Sequence, residues 1–338
     1  MKTTRIGING FGRIGRVTLR LLSETEGVEV VAINDLTPLA QSAHLLQYDS
    51  VHGPWKRSVG FGKESLTIDN HPISVFARRD PSEIPWKEVG VDVVIESTGI
   101  FTTWEGASKH LKAGAKKVVV SAPCKDADKI RTFVYGINHE SYDPAHDAIV
   151  SNASCTTNCL APLVKVLNDR FEVKRGLMTT VHSYTNDQRV LDLGHEDFRR
   201  MRAAAVNMIP TSTGAAKAVG LVIPEMKGKL TGLAVRVPTP NVSLVDFVAD
   251  VKEQVTVDTV NSAFVEAAST KPLQGILQAV KVPLVSSDYN GCDYSSSVDL
   301  DSTMVVDGTL VKVLSWYDNE TGFSRRMIDL IQWMSRTL

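Results

Sequence analysis

Two residues in this chain have the means to make and break a covalent bond. Cys155 stands in Ser151-Asn152-Ala153-Ser154-Cys155-Thr156-Thr157-Asn158-Cys159, between the apolar run Ala148 to Val150 and a helical pattern over 160–171. A cysteine framed by hydroxyls at such a strand-to-helix junction meets free backbone N–H groups and the positive end of a helix, which lower a thiol pKa. His182 follows an extended run, Lys174 to Val181. A histidine within reach of the sulfur would hold a thiolate and act as general acid–base near neutral pH. The thiolate can add to an aldehyde, giving a thiohemiacetal whose hydride leaves to a nicotinamide; the resulting thioester is open to water or another acceptor. Polar neighbours are wrong for a core cysteine at 155, whereas Cys159, beside Leu160 and Ala161, reads as packing. Taken alone, His182 reads equally well as a structural histidine.

Anion chemistry is the second theme. Arg236 lies on the apolar strand Leu233-Ala234-Val235-Arg236-Val237, where a charge needs an ion-pair partner or an anionic ligand. Thr213-Gly214 opens a helical pattern and offers N–H groups and a hydroxyl to an anion. Near the N-terminus, Gly10-Phe11-Gly12-Arg13-Ile14-Gly15 sits between a strand, Arg5 to Ile8, and a helical pattern (Ile14, Val17, Leu21). A second strand, Val28 to Ile33, ends at Asn34-Asp35. In that context the glycines let a pyrophosphate approach the helix N-terminus and the acid accepts bonds from the adenosine ribose. Asp35 would repel a 2′-phosphate, so NAD is favoured over NADP.

The elements that must position these groups follow from the pattern of strands and helices. Val91 to Glu96 and Lys117 to Val120 read as buried strands ending in Ser97-Thr98-Gly99 and Ser121-Ala122-Pro123, with a helix over 104–113 between them. Leu66–Ile68 and Ile73–Phe76 read as a hairpin. Strands alternating with helices make residues up to about 150 a doubly wound α/β domain of Rossmann type with a parallel sheet. Beyond the cysteine helix, which Pro162 should kink or restrict to a well-supported place, the pattern changes to α+β. Strands are expected at 230–237, 242–251, 284–286, 304–306 and 310–316, with helices over 212–221 and 257–268; Asp307-Gly308 between two of them argues for a mixed or antiparallel sheet. Residues 183–209 are charged and lack periodicity, the mark of a functional loop or a subunit contact. A last helix, with Phe323, Met327, Leu330, Ile331 and Met334 on one stripe, should dock back on the first domain.

Bulk properties fit that reading. The chain has 338 residues, 43% hydrophobic and 22% charged, with formal net charge -1. Two domains are expected, and no basic excess points to nucleic acid. No apolar run nears the roughly 20 residues that span a bilayer, and no signal-peptide core follows Met1, so a cytoplasmic protein is expected. Four cysteines (124, 155, 159, 292) without C-x-x-C, and eight dispersed histidines, argue against a disulfide framework and against zinc.

Residues 151–162 together resemble the active-site signature of the phosphorylating glyceraldehyde-3-phosphate dehydrogenases. The resemblance continues through 9–16, His182 to Gln188, Pro210 to Lys217, Arg236 to Val242 and Trp316 to Glu320, in order over essentially the whole chain. It implies that Cys155 is the nucleophile and His182 its base and an oxyanion stabiliser. It places Thr185, Arg200 and Arg236 on the triose phosphate's own phosphate, and Ser154, Thr156, Thr213 and Gly214 on inorganic phosphate. Besides Gly10 and Gly12, it puts Arg13, Ile14, Asp35, Arg79, Ser121, Asn186 and Asn319 on NAD, Asn319 at the carboxamide. It further implies a cofactor domain of residues 1–151 and 318–338, a catalytic domain of 152–317, and a homotetramer in which the loop 183–209 packs near a neighbour's cofactor. Thr321 and Gly194 depart from the usual pattern, where a large residue and a proline are frequent. Two rival readings are an erythrose-4-phosphate dehydrogenase, against which the intact phosphate seats argue, and a non-catalytic dinucleotide- or RNA-binding protein, against which Cys155 and His182 argue.

Overall fold

Residues 3–338 are described in a computed structural model. Their contacts separate two compact units, one extending to Tyr135 and adding His139–Ala153 and Ser324–Leu338, the other comprising Gly136–Asn138 and Ser154–Phe323.

The first unit starts with β1 (Thr4–Asn9), α1 (Arg13–Leu22), β2 (Val28–Asn34) and α2 (Leu39–Gln47). Then come β3 (Val59–Phe61), β4 (Ser65–Ile68) and β5 (His71–Phe76), the last two forming the expected hairpin. β6 (Val93–Glu96), α3 (Trp104–Lys112), β7 (Lys117–Val120), β8 (Arg131–Thr132) and β9 (Ile149–Ser151) complete its sheet, in the order β3-β4-β5-β2-β1-β6-β7-β9-β8. From β5 to β8 every neighbour is parallel, the doubly wound arrangement expected. Strands buried on both faces must be apolar throughout, and β6 and β7 are buried along their whole length. The chain winds outward to both sides from β1, so the crevice for a ligand opens at the carboxyl end of that strand. α2 was not legible in the sequence.

The second unit opens with α4 (Cys155–Phe171), β10 (Val173–Ser183), β11 (Ile209–Ser212) and α5 (Ala215–Val222). β12 (Leu230–Val237), β13 (Ser243–Val251), α6 (Val257–Ser269), β14 (Leu277–Val280), β15 (Ser296–Val306) and β16 (Leu310–Tyr317) follow. Its sheet has the order β11-β12-β10-β13-β16-β15-β14 and is mixed: β10–β12 and β14–β15 are parallel, the rest antiparallel. Asp307 and Gly308 both have positive φ, 49° and 66°, as a tight β15–β16 hairpin turn requires. Helix α4 is buried from Thr156 to Val164 and lies on the sheet with α5 and α6 beside it. Pro162 sits inside it without ending it.

Two expectations fail locally. Leu284-Val285-Ser286 is no strand; β15 pairs instead with β14, because Pro283 lacks a ladder donor and three residues give little to pair. The helix expected from Ser212 begins at Ala215, since Thr211 and Ser212 are spent pairing with β12. The chain closes with α7 (Thr321–Ser335), whose stripe Met327, Ile328, Leu330, Ile331 and Met334 is fully buried in the core of the first unit with Ile6, Ile8, Ile95 and Phe133.

Candidate active site

In the second unit, neighbouring strand ends bring the reactive groups together. Parallel pairing sets His182 on β10 directly opposite Arg236 on β12, so both side chains share one face of the sheet. His182 lies inside β10, not just after it. α4 starts above that face. Ser154 is its N-cap, accepting from Thr157 N–H at 3.1 Å, which leaves the N–H groups of Cys155 and Thr156 pointing out of the helix. The residue before the cap, Ala153, has φ +58°, a left-handed conformation that costs a non-glycine residue on the order of 1 kcal/mol.

Cys155 Sγ lies 3.6 Å from His182 Nε2. His182 Nδ1 is 2.7 Å from the Ser183 carbonyl, and Arg236 Nη1 donates to that same carbonyl at 3.0 Å. A carbonyl only accepts, so Nδ1 carries the hydrogen and Nε2 keeps its lone pair for the thiol. Arg236 Nη1 also lies 2.8 Å from Nδ1; two donors side by side on one oxygen account for the closeness. Tyr317 completes the floor: its hydroxyl bonds Thr156 Oγ1 and Thr180 Oγ1, each at 2.9 Å, and its ring stands edge-on to His182.

Electrostatics correct one expectation. Burial pushes the Cys155 thiol up, outweighing the Arg236 charge and the hydrogen bonds of Thr156 and Cys155 that pull it down. Burial also drives the His182 pKa to about 3, and the Arg236 charge adds to the drop. In the protein alone, burial thus works against charge on both groups. Cys159, wholly buried against Ser296 and Ser315, is pushed up to about 12, again by burial.

The phosphate candidates are distributed as follows. Arg236 Nε is buried without a partner among the described residues, spare donor capacity for an anion. Arg200 is engaged by Asp187 (2.5 Å), Thr211 (2.9 Å) and the Ser212 carbonyl (3.2 Å), yet its charge reaches His182 and Arg236. Thr185 N–H is held by Gln188. Thr213 Oγ1 accepts from Ala215 N–H, and Gly214 caps α5 without a side chain. The Thr156 hydroxyl shares a hydrogen bond with Tyr317, and its backbone N–H points out of the helix.

The cofactor candidates lie mainly in the first unit. Gly10 has φ +93°, and a Cβ there would meet the Thr98 nitrogen at 2.6 Å; a Cβ on Gly15 would meet the Gly10 carbonyl oxygen at 2.2 Å. A Cβ on Gly12 would meet nothing within 4 Å, and α1 begins there with no side-chain cap. Those are the open cradle and uncapped N–H groups a pyrophosphate needs, so the residues fit a dinucleotide. Asp35 accepts from Phe11 N–H (2.6 Å) and Thr37 N–H (2.8 Å), bracing the glycine turn while keeping lone pairs free. Arg13 pairs with Asp49, and Ile14 packs on the core. Ser121, Arg79 and Asn186 are partly or fully exposed. Asn319, by contrast, belongs to the second unit, where it accepts from Ser243. Beneath the glycine turn a buried chain runs from Asn34 through Asn9 to Glu96, His110 and Trp86. Tyr317 and this chain went unread in the sequence; their only signal was polar atoms at positions the pattern calls buried.

Among the described residues no cluster of three His, Cys, Asp or Glu side chains is placed to hold a metal, and no helix is long and apolar enough to cross a membrane.

Comparison with known proteins decides the family. The profile "Glyceraldehyde 3-phosphate dehydrogenase, NAD binding domain" matches residues 4–104, and "Glyceraldehyde 3-phosphate dehydrogenase, C-terminal domain" matches residues 154–319. Glyceraldehyde-3-phosphate dehydrogenase 1 of Bacillus cereus is 60% identical over 332 residues, covering 98% of both chains. The chain belongs to the glyceraldehyde-3-phosphate dehydrogenase family. The enzymes of that name from Geobacillus stearothermophilus and Bacillus subtilis are each 57% identical, again over 98% of both chains. As a member of this dehydrogenase family the chain is an NAD-dependent oxidoreductase.

Proposed function

We propose that the enzyme oxidises D-glyceraldehyde 3-phosphate to 1,3-bisphosphoglycerate, with NAD and inorganic phosphate as co-substrates. The observation that carries this is Cys155 Sγ at 3.6 Å from a His182 Nε2 whose other nitrogen is tied to Ser183, with Arg236 alongside. His182 takes the thiol proton as sulfur bonds to the aldehyde carbon, the outward N–H of Cys155 meets the developing oxyanion, and His182 returns the proton to that oxygen to give the thiohemiacetal. His182 then accepts the hydroxyl proton of the thiohemiacetal as the carbon–hydrogen bond breaks; NAD, when bound, supplies the hydride acceptor. Inorganic phosphate attacks the thioester carbon, and the Cys155 sulfur leaves and takes the proton held by His182, restoring the thiol.

Arg236, Arg200 and Thr185 would carry the substrate's phosphate, and Ser154, the Thr156 N–H, Thr213 and Gly214 the attacking one. Gly10, Gly12, Arg13, Ile14, Asp35, Arg79, Ser121, Asn186 and Asn319 would hold NAD. A homotetramer and a cytoplasmic setting complete the reading, the latter supported by four free thiols.

The test is NADH formation from glyceraldehyde 3-phosphate with and without phosphate or arsenate. Strong dependence on the anion is expected; equal rates without either would remove the phosphorylating step. Cys155→Ser should abolish turnover while NAD still binds.

A further inference from the structure

We infer that Ser183 and Ser243 are positioning residues, a two-serine relay that sets which nitrogen of His182 faces Cys155 and which end of the Asn319 amide faces outward. The cofactor half of this inference rests on the function proposed above; the His182 half does not.

The relay joins strand ends. Ser183 ends β10, Ser243 begins β13, and Asn319 lies two residues past β16. Ser183 and Ser243 are buried, at 0% and 1% exposure. The Ser183 hydroxyl donates to the Val242 carbonyl at 2.7 Å, so it accepts from Thr239 Oγ1 at 3.2 Å. Ser183 N–H donates to Ser243 Oγ at 3.1 Å. Gripped at its side chain and its N–H, the residue has its carbonyl aimed at His182 Nδ1, and that bond holds the tautomer with Nε2 free for the thiol.

Ser243 has a single hydroxyl proton. Its oxygen accepts from Ser183 N–H, and the proton goes to Asn319 Oδ1 at 2.8 Å. The amide oxygen is thereby used as an acceptor, and Nδ2 is left as a donor with no acceptor among the described residues. Asp318 locks the turn around it: Oδ1 accepts from the N–H groups of Glu320 and Thr321, and Oδ2 from Asn241 Nδ2 and Gly291 N–H. Asn319 is thus built to meet a carbonyl oxygen, not an amino group. A carboxamide offers both, and the relay selects its oxygen.

Val242 supports a role beyond packing. Its φ is +66°, a genuine outlier for a β-branched residue, and its carbonyl is the one Ser183 uses. Strain retained beside a catalytic histidine is the pattern that positioning networks leave.

Two readouts on the purified full-length enzyme test the relay. The first is the pH–rate profile for alkylation of Cys155 by iodoacetamide, with neither cofactor nor substrate present. The second is KM for NAD and for its 3-acetylpyridine analogue, which keeps the carbonyl and lacks the amino group. The wild-type enzyme should accept both cofactors with similar KM. Ser243→Ala should raise both KM values by about tenfold, the effect of one buried hydrogen bond, and displace the alkylation profile; Ser243→Thr should recover both. Asn319→Ala should raise KM and leave alkylation unchanged, which separates the two halves. Should Ser243→Ala fail to fold, Ser183→Ala removes the hydroxyl's hold on Val242 and Thr239 while keeping the backbone N–H to Ser243. It should displace the alkylation profile and leave both KM values unchanged; an undisplaced profile would overturn the His182 half. Wild-type alkylation and KM in a folded Ser243→Ala enzyme would overturn the relay. Rejection of the acetylpyridine analogue by a wild-type enzyme that uses NAD would overturn the amide orientation. If the wild type makes no NADH at all, the proposed function fails while the alkylation profile still decides the His182 half.

Discussion

Arg236 acts on both halves of the reactive pair, and in opposite senses. Its charge lowers the thiol pKa of Cys155 and also lowers that of His182, so it favours thiolate and disfavours imidazolium. Burial is the larger influence at both sites. Replacing Arg236 by glutamine should therefore move the thiol further up and the histidine up as well. The expected outcome is slower alkylation of Cys155 at pH 8, with the thiolate limb of the profile displaced to higher pH, measurable without substrate. An unchanged limb would show that the arginine's charge does not reach the sulfur. Cys159 should stay unmodified throughout, since its thiol is pushed up to about 12 in a site with no exposed surface. Sequence told Cys155 from Cys159 because polar and apolar neighbours differ within one helical turn. It could not supply the sign of the thiol shift, which burial by residues distant in the chain decides.

At the scale of elements, the legible parts were those whose chemistry is local. The glycine turn between β1 and α1, the cysteine at the start of α4 and the Asp307-Gly308 hairpin each carry their own backbone demand in adjacent residues. Tyr317, Ser243 and Asp318 do not. Tyr317 reaches Thr156 and Thr180 across 161 and 137 positions of chain, and only the order of strands in the second sheet brings them together. The run at 284–286 misled because two apolar residues and a serine fit a strand and a loop equally well. The glycine turn allows a test that leaves the second unit alone. In Gly15→Ala the new methyl would meet the Gly10 carbonyl oxygen at 2.2 Å, so the turn must open. NAD affinity should fall on the order of tenfold or more, the factor that about 1.4 kcal/mol of lost contact gives. Alkylation of Cys155 in the absence of cofactor should stay at the wild-type rate. Titration calorimetry with NAD decides it, and wild-type affinity would show that this close approach is not needed.

Two properties belong to the whole molecule. The first is its response to acid. His182 is held neutral in the fold, with a pKa of about 3 against an ordinary 6.5. The unfolded chain therefore binds more protons than the folded one between these values, and stability present above pH 6.5 is lost as pH falls toward 3. His139, lowered by burial, acts in the same direction. Melting temperatures recorded from pH 8 to pH 4 should fall, and His182→Asn should make the fall shallower; an identical slope would place the acid sensitivity elsewhere.

The second property is association. The loop after β10 leaves Val190, Leu191, Leu193, Phe198, Val206 and Met208 each more than two-thirds exposed, and Leu177 and Leu233 stand bare on adjacent strands β10 and β12. Exposed apolar side chains gathered in one loop are the kind of surface a protein partner covers. Water makes such a surface costly, and a second copy of the chain is the partner the proposed homotetramer supplies. Phe198, 78% exposed, is the place to test it. Phe198→Asp should leave the folded chain intact, because the side chain is already in water in the single subunit. It should nevertheless desolvate a charge in any interface that covers the loop. Sedimentation or mass photometry should then show the tetramer giving way to smaller species at micromolar concentration. A variant that assembles as the wild type does would mean that this loop is not the contact.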